Sequence, residues 1–290
     1  MPGAASGLLR GQRFTVVGAA GFVGSRLCAT LQARGAQVWA PARDEPWPWR
    51  GPLGHVMYCA GLTADDLARP FDTVQAHVSL LASVLQHGLQ QGGLDSLVYL
   101  SSTRLYDALG DGLARETAVL PMDPANPRHL YDLSKALGES LCNVAGQGRA
   151  RVARLACVYE GPGDADGFLP ALFRQVLAAR AAGADVVQVA SSPHFVRDYV
   201  HVDDVVEALI RIALDGRELV YNVASGVNVS NADLFAYLER RSGCRVQPLL
   251  HAVPAPVPQV CIDRLATQLQ WHPQPLFSVL DRIFDASPKG

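Results

Sequence analysis

The chain has 290 residues, 49% hydrophobic and 18% charged, with a formal net charge of −2 at pH 7. That balance offers no basic field for nucleic acid or an acidic membrane surface. No apolar run approaches the ~20 residues of a membrane-spanning helix, and Met1 to Arg13 lacks the apolar core of a secretory signal, so a cytoplasmic location is expected. Cys28, Cys59, Cys142, Cys157, Cys244 and Cys261 are scattered without a Cys-x-x-Cys spacing. They read as small core residues in a reducing compartment. The eight histidines show no His-Glu-x-x-His spacing, so no metal is assigned.

The first predicted element is a strand over 14–17, which runs straight into Gly18-Ala19-Ala20-Gly21-Phe22-Val23-Gly24. Leu27, Leu31 and Ala33 then keep helical spacing over 22–34 until Gly35. Glycines between a strand and a helix permit a tight turn and let backbone N–H groups at the helix N-terminus approach a pyrophosphate. The spacing Gly-x-x-Gly-x-x-Gly departs from the commoner Gly-x-Gly-x-x-Gly, and taken alone the motif leaves a purely structural turn open. Strands follow at 37–40 and 55–59, a helix at 71–87, a strand at 97–101, a helix at 127–145 and a strand at 151–156. Such alternation argues for a parallel sheet covered on both faces. Asn126-Pro127 is a cap and first-turn pair for the helix over 127–145, and Ser230 with Asp233 opens a later helix through Tyr237 as a capping box.

Lysine occurs only twice, against twenty-three arginines, and one of the two stands at Lys135, four residues after Tyr131. Positions i and i+4 share a helical face, so the ammonium sits beside the phenol. A neighbouring cation favours the phenolate and brings the tyrosine toward useful proton transfer. Arginine is planar and keeps its proton, whereas lysine is a compact point charge that can share one. In isolation the pair reads equally well as surface decoration.

Together the glycine turn and Tyr131-Asp132-Leu133-Ser134-Lys135 resemble the extended short-chain dehydrogenase/reductase superfamily, in its nucleotide-sugar epimerase and dehydratase branch. Further segments similar to that branch are Asp95 to Tyr106, Arg154 to Gly163, Arg197 to Val205, Tyr221 to Gly226 and Leu269 to Pro273. The resemblance implies an α/β fold with a doubly wound parallel Rossmann sheet over 1–159 and 191–224. It also implies a smaller, discontinuous substrate lobe over 160–190 and 225–290. It further implies hydride transfer between a nicotinamide and a carbinol or ketone carbon. Tyr131 would move the proton, Lys135 would hold the nicotinamide ribose, and Ser102 would bond the reacting oxygen. Gly18, Gly21, Phe22, Val23, Gly24 and Ala60 would surround the dinucleotide, and Thr103 would line the substrate side. For Ser102 the bland alternative is a strand-end serine capping backbone.

The chain departs from the family in several places. Between the strands at 37–40 and 55–59 lies only a proline- and tryptophan-rich connection of about a dozen residues, including Pro46, Trp47, Pro48, Trp49 and Pro52. Twelve extended residues span ~40 Å, enough for a bare crossover. The third strand of the order 3-2-1-4-5-6 is an edge, so its loss leaves the sheet whole and turns the second strand into the edge, which also accommodates Pro41. At the carboxylate position expected to grip the adenosine ribose stands Ala42, followed by Arg43. Arg43 suits a 2′-phosphate and favours NADP over NAD; the alternative is a solvated Arg43 with Asp44 or Glu45 on the ribose.

Thr103 and Arg104 replace the Asp-Glu pair of 4,6-dehydratases, which argues against dehydration. His77 and Cys157 replace family asparagines, and Glu160 looks inserted. The Arg-x-Gly-Asp segment that grips a substrate diphosphate is absent at 253–259, leaving Arg197 and Arg264 as candidate phosphate ligands or ordinary surface charges. Three readings follow: a nucleotide-sugar 4-epimerase or 4-ketoreductase, an NADPH-dependent reductase of a carbonyl without a nucleotide, and a cofactor-sensing protein without turnover. A sensor has no reason to keep a proton relay. The helices over 71–87 and 127–145 carry apolar residues on more than one face, among them Val74, Val78, Leu81, Leu85, Leu137, Leu141 and Val144. One face must cover the sheet. The family commonly pairs the other across a twofold axis, so a homodimer is expected.

Overall fold

The computed structural model describes residues 9–43, 45, 49–62, 67–91, 93–164 and 167–286. The chain begins with β1 (Arg13–Val17), α1 (Phe22–Ala33), β2 (Gln37–Trp39) and β3 (Gly54–Tyr58). The expected single helix over 71–87 has three sections: α2 (Pro70–Val74), a π-helical turn (Gln75–Ser79) and α3 (Leu80–Gln90). Then come β4 (Leu94–Ser102), a 3-10 segment (Thr103–Leu109) and β5 (Leu113–Ala114). Asn126 caps a 3-10 turn (Pro127–His129) by accepting the Arg128 N–H, and that turn runs into α4 (Leu130–Ala145). After β6 (Ala150–Leu155) follow β7 (Cys157–Tyr159), α5 (Phe168–Ala181), β8 (Val186–Val189) and β9 (Val196–His201). The chain continues through α6 (Val202–Asp215), β10 (Val220–Val223), β11 (Asn228–Ser230) and α7 (Asn231–Ser242). It closes with β12 (Arg245–Pro248), β13 (Gln259–Val260), α8 (Asp263–Leu269) and α9 (Leu276–Ala286).

Six strands form one parallel sheet in the order β10-β6-β4-β3-β1-β2. Among the described residues no strand lies beyond β2, which is the edge, as the short crossover implied. Trp49 is buried and meets Trp39 edge-on, with ring centroids 5.2 Å apart at 84°, a contact worth ~0.5–1.5 kcal/mol beyond area burial. Pro46, Trp47 and Pro48 lie outside the described residues. Of the segment 191–224, α6 packs on the central sheet and β10 joins it, whereas β9 pairs with β7 and β11 in a separate three-stranded sheet.

The two faces of the sheet carry different cores. On one, Val16, Met57, Val98 and Ala153 pack under Leu27 and Leu31 of α1 and Val205, Leu209 and Ile212 of α6. On the other, Val56, Tyr58, Tyr99 and Val152 pack under Leu81, Val84 and Leu85 of α3 and Cys142 of α4. Alternation of side chains along each strand divides the two sets. A third cluster, including Phe173, Val176, Leu234, Leu238, Val279 and Phe284, holds the helices of the C-terminal lobe. Cys157 is exposed, which corrects its assignment to the core. Among the described residues no helix is long and apolar enough to cross a membrane, and no group of His, Cys, Asp and Glu could hold a metal.

Candidate active site

In parallel strands all carboxyl ends share one edge, the place where α/β sheets bind ligands. At the end of β1, Gly18 adopts φ +85°, and a Cβ there would lie 2.7 Å from Ala60 N, just past β3. A Cβ on Gly24 would lie 2.3 Å from Gly18 O, so helix α1 can close on the turn only with glycine there. Gly21 is the N-cap of α1, with no side-chain cap bond and no acidic residue in the first turn. The leading N–H groups of Phe22, Val23 and Gly24 are therefore not claimed by a cap. A turn with this backbone and dipole fits a dinucleotide pyrophosphate.

Two strands away, Ser102 ends β4 and α4 passes beside it. A Cβ on Gly138 would stand 2.4 Å from Tyr99 Oη, so that glycine is what lets α4 approach β4 so closely. The close approach carries Lys135 under the strand, where its Nζ donates to Leu100 O at 2.8 Å and lies 5.9 Å from the centroid of the Tyr131 ring. Both residues are buried. Burial pushes the Lys135 ammonium down to about 7, against smaller opposing effects of Cys59 and Glu139. Ser102 is half-buried and its Oγ accepts the Arg104 N–H at 3.2 Å. The capping role is compatible with the expected catalytic one, because that bond uses an oxygen lone pair and leaves the hydroxyl proton to donate.

His77 is fully buried at the π-helical turn. Its Nε2 accepts the Leu62 N–H at 3.1 Å, so Nδ1 carries the hydrogen and donates to Ser134 Oγ at 2.8 Å. Ser134 in turn donates to Tyr131 O at 2.7 Å, and the imidazole meets the Tyr131 ring edge-on, centroids 5.3 Å apart. Burial and the nearby Lys135 push His77 down to about 3, which keeps it neutral. The π turn shifts backbone hydrogen bonding, and two buried hydroxyls serve its carbonyls: Tyr58 donates to Ala76 O at 2.5 Å and Tyr99 to His77 O at 3.2 Å. In this way His77 joins the loop after β3 to α4. Only its departure from the family asparagine marked it in the sequence.

Behind the site runs a buried polar network that sequence reasoning missed. Ser101 Oγ donates to Glu139 Oε1 at 2.6 Å, and Arg154 forks onto both Glu139 oxygens. Arg154 also donates to Tyr106, which donates to Asn222 Oδ1. Asn222 Nδ2 then reaches Ala114 O and Cys261 O. The one available signal was Glu139 four residues after Lys135, on the same helical face.

The remaining candidates separate. Arg197 is exposed on β9 and, with Arg104, acts on Asp107 near the Tyr131 end of the sheet. Its neighbour Asp198 accepts N–H bonds from Ser225 and Gly226 at 2.7 Å each, which ties β9 to the turn after β10. Thr103 begins the 3-10 segment and is half-buried. Arg264 donates to Val220 O at 2.7 Å. Val220 opens β10, whereas Val223 is the residue in register, through Leu155, with Ser102. One nitrogen of Arg264 is thus engaged at the start of β10, away from the carboxyl edge. Arg43 and Glu45 are exposed beyond β2, and Asp44 lies outside the described residues. Glu160 finds its place opposite Arg26 of α1, at 3.2 Å.

Comparison with known proteins agrees with this geometry. The NAD dependent epimerase/dehydratase family matches residues 52–224, more than half of the chain. A dTDP-4-dehydro-6-deoxy-D-allose reductase of Streptomyces bikiniensis is 26% identical, over 93% of this chain and 94% of its own length. A dTDP-6-deoxy-L-talose 4-dehydrogenase (NAD(P)(+)) of Kitasatospora kifunensis is 28% identical, over 90% of this chain and 86% of its own. Among solved structures, RMD from Pseudomonas aeruginosa complexed with NADPH superposes with a TM-score of 0.75 at 26% identity, over 94% of this chain and 97% of that one.

Proposed function

This chain belongs to the NAD dependent epimerase/dehydratase family, and from that premise we propose that it is an NAD(P)-dependent 4-ketoreductase or 4-epimerase of a nucleotide-linked sugar. The observation that carries the reading is the buried Tyr131 and Lys135 pair on α4, with Lys135 bonded to Leu100 O of β4, the strand that ends at Ser102. Bound over the glycine turn, a nicotinamide dinucleotide supplies or accepts the hydride. Tyr131 then gives or takes the proton at the sugar oxygen as general acid or base, and Ser102 donates a hydrogen bond to the same oxygen. Lys135, while protonated, sets a positive charge near the phenol and is placed to hold ribose hydroxyls. Gly18, Gly24 and the uncapped N-terminus of α1 seat the pyrophosphate.

Thr103 and Arg104 offer no acid–base pair for work on a neighbouring carbon, which favours simple redox chemistry at one carbon over dehydration. The names of the two relatives place their activities at C4 of deoxy sugars, which supports the ketoreductase over the epimerase. Arg43 beyond β2 supports NADP over NAD. The reading carries with it a cytoplasmic homodimer. A second reading, reduction of a carbonyl substrate without a nucleotide, is supported by Arg264, which is held at Val220 and leaves Arg197 as the candidate diphosphate ligand.

Oxidation of NADPH with dTDP-linked 4-keto sugars, followed by absorbance, tests the proposal. Tyr131→Phe should lower turnover about 10²–10⁴-fold while dinucleotide binding persists. A fully active Tyr131→Phe enzyme would refute the mechanism, and reduction of nucleotide-free ketones alone would select the second reading.

A further inference from the structure

The residue that replaces the acidic side chain of the dehydratases is not idle. Arg104 is exposed on the 3-10 segment that starts after Ser102, and the Ser102 bond to its N–H sets where its side chain leaves the backbone. The guanidinium carbon lies 4.5 Å from the centroid of the Tyr131 ring, closer than Lys135 Nζ at 5.9 Å. A cation over a phenol ring is attracted to its face, and the attraction grows when the ring carries the negative charge of a phenolate.

We propose that Arg104 is an electrostatic positioning residue whose fixed charge over the Tyr131 ring stabilises the phenolate formed when Tyr131 gives its proton to the substrate. The inference rests on the reading of Tyr131 as the proton donor. In that step the Tyr131 O–H bond breaks, a new O–H bond forms on the sugar oxygen, and the electron pair stays on the phenolate. The two cations near the ring have different limits. Lys135, pushed down by burial to about 7, loses its charge as pH rises through neutrality. A guanidinium keeps its charge at every working pH. Arg104 therefore preserves a positive field at the phenol under conditions where Lys135 does not.

The other groups nearby do not cancel it. Asp132 on α4 stands 3.5 Å from Arg104 Nε and offsets part of its charge. Asp107, on the same 3-10 segment, is answered first by Arg197 of β9 and then by Arg104. Glu139 and Cys59 act on Lys135, and the buried His77 is neutral.

The test replaces Tyr131 by fluorotyrosine and follows ionisation of that one phenol by fluorine NMR, in the otherwise native chain and with Arg104→Met or Arg104→Lys. The proposal expects Arg104→Met to raise the midpoint by about one pH unit and Arg104→Lys to recover most of the shift. With natural tyrosine, Arg104→Met should lower kcat more than it raises KM and move the alkaline limb of the kcat profile upward. An unchanged phenol midpoint overturns the proposal, and a raised KM beside it would assign Arg104 to substrate binding. A shifted midpoint in a protein that reduces no sugar would uphold the role of Arg104 and refute the catalytic reading instead.

Discussion

Tyr131 and Lys135 lie one helical turn apart, yet burial acts on the lysine in a way that the pattern alone does not reveal. The ammonium titrates at about 7 in the fold, against the ordinary 10.5 of an exposed lysine. Between those values the unfolded chain binds more protons than the folded one, so this group makes stability rise with pH. Its destabilising effect is fully present below about 7 and is relieved as pH approaches 10.5. Denaturation midpoints taken at about pH 7 and about pH 9 should therefore rise more for the native protein than for Lys135→Met. Parallel slopes would show that the lysine stays charged in the fold. For the cofactor, the proposed role of Arg43 is tested by substitution in the same way. Arg43→Ala should weaken NADPH binding more than NADH binding in fluorescence titrations, since only NADPH carries a 2′-phosphate. An equal loss of both would return the choice to NAD.

Among the elements, α4 is held by shape as much as by polarity. Gly138 admits the strand beneath it, and the π turn before α3 brings His77 inward to meet Ser134 and Tyr131. A π turn inside a helix is a recurrent feature of functional sites, and here its carbonyls are answered by tyrosines from β3 and β4. Gly138→Ala must move either the helix or the Tyr99 ring. A destabilisation of about 1–3 kcal/mol, typical of overpacking, should accompany a loss of turnover, read by thermal denaturation and NADPH oxidation. A midpoint unaltered by the new methyl would mean that α4 is not seated by this contact. The Glu139 and Arg154 pair extends the same seating into the sheet, with each carboxylate oxygen met by the guanidinium and Ser101 adding a third bond. Buried charges persist where they are both paired and hydrogen-bonded.

In the molecule as a whole, the short crossover leaves a six-stranded sheet with β2 at its margin, while α2 and α4, the helix of Tyr131, keep apolar side chains outward. Leu81 and Leu85 are buried against the sheet, but Phe71 is 87% exposed, Val144 80% and Leu137 51%. Exposed apolar residues grouped on neighbouring helices favour association, and a twofold contact would cover them with the same face of a second copy. Light scattering at micromolar concentration should give about twice 31.0 kDa, and Leu137→Glu with Val144→Glu should return the mass to that of one chain. A native monomer at that concentration would mean that these side chains remain in water.

The local patterns legible in the sequence were those that repeat along the backbone. The run over 14–17 with its glycines, the spacing of Leu27 and Leu31, the Asn126 cap and the missing length between β2 and β3 each constrain nearby φ and ψ or chain reach. From these the parallel sheet and its lost edge strand could be read before any contact was known. Contacts between residues distant in the chain obey no such period. The Leu62 N–H that fixes the His77 tautomer, the Leu100 carbonyl that receives Lys135, and the burial that lowers its proton affinity arise only when β3, β4 and α4 meet. The same holds for Arg264, which the chain alone offers as a phosphate ligand and the fold binds to Val220. Arg104 too is simply an arginine until α4 places the Tyr131 ring beneath it. Local geometry follows from residue type and spacing, but the charge, partner and reach of a side chain depend on which distant elements the tertiary packing brings against it.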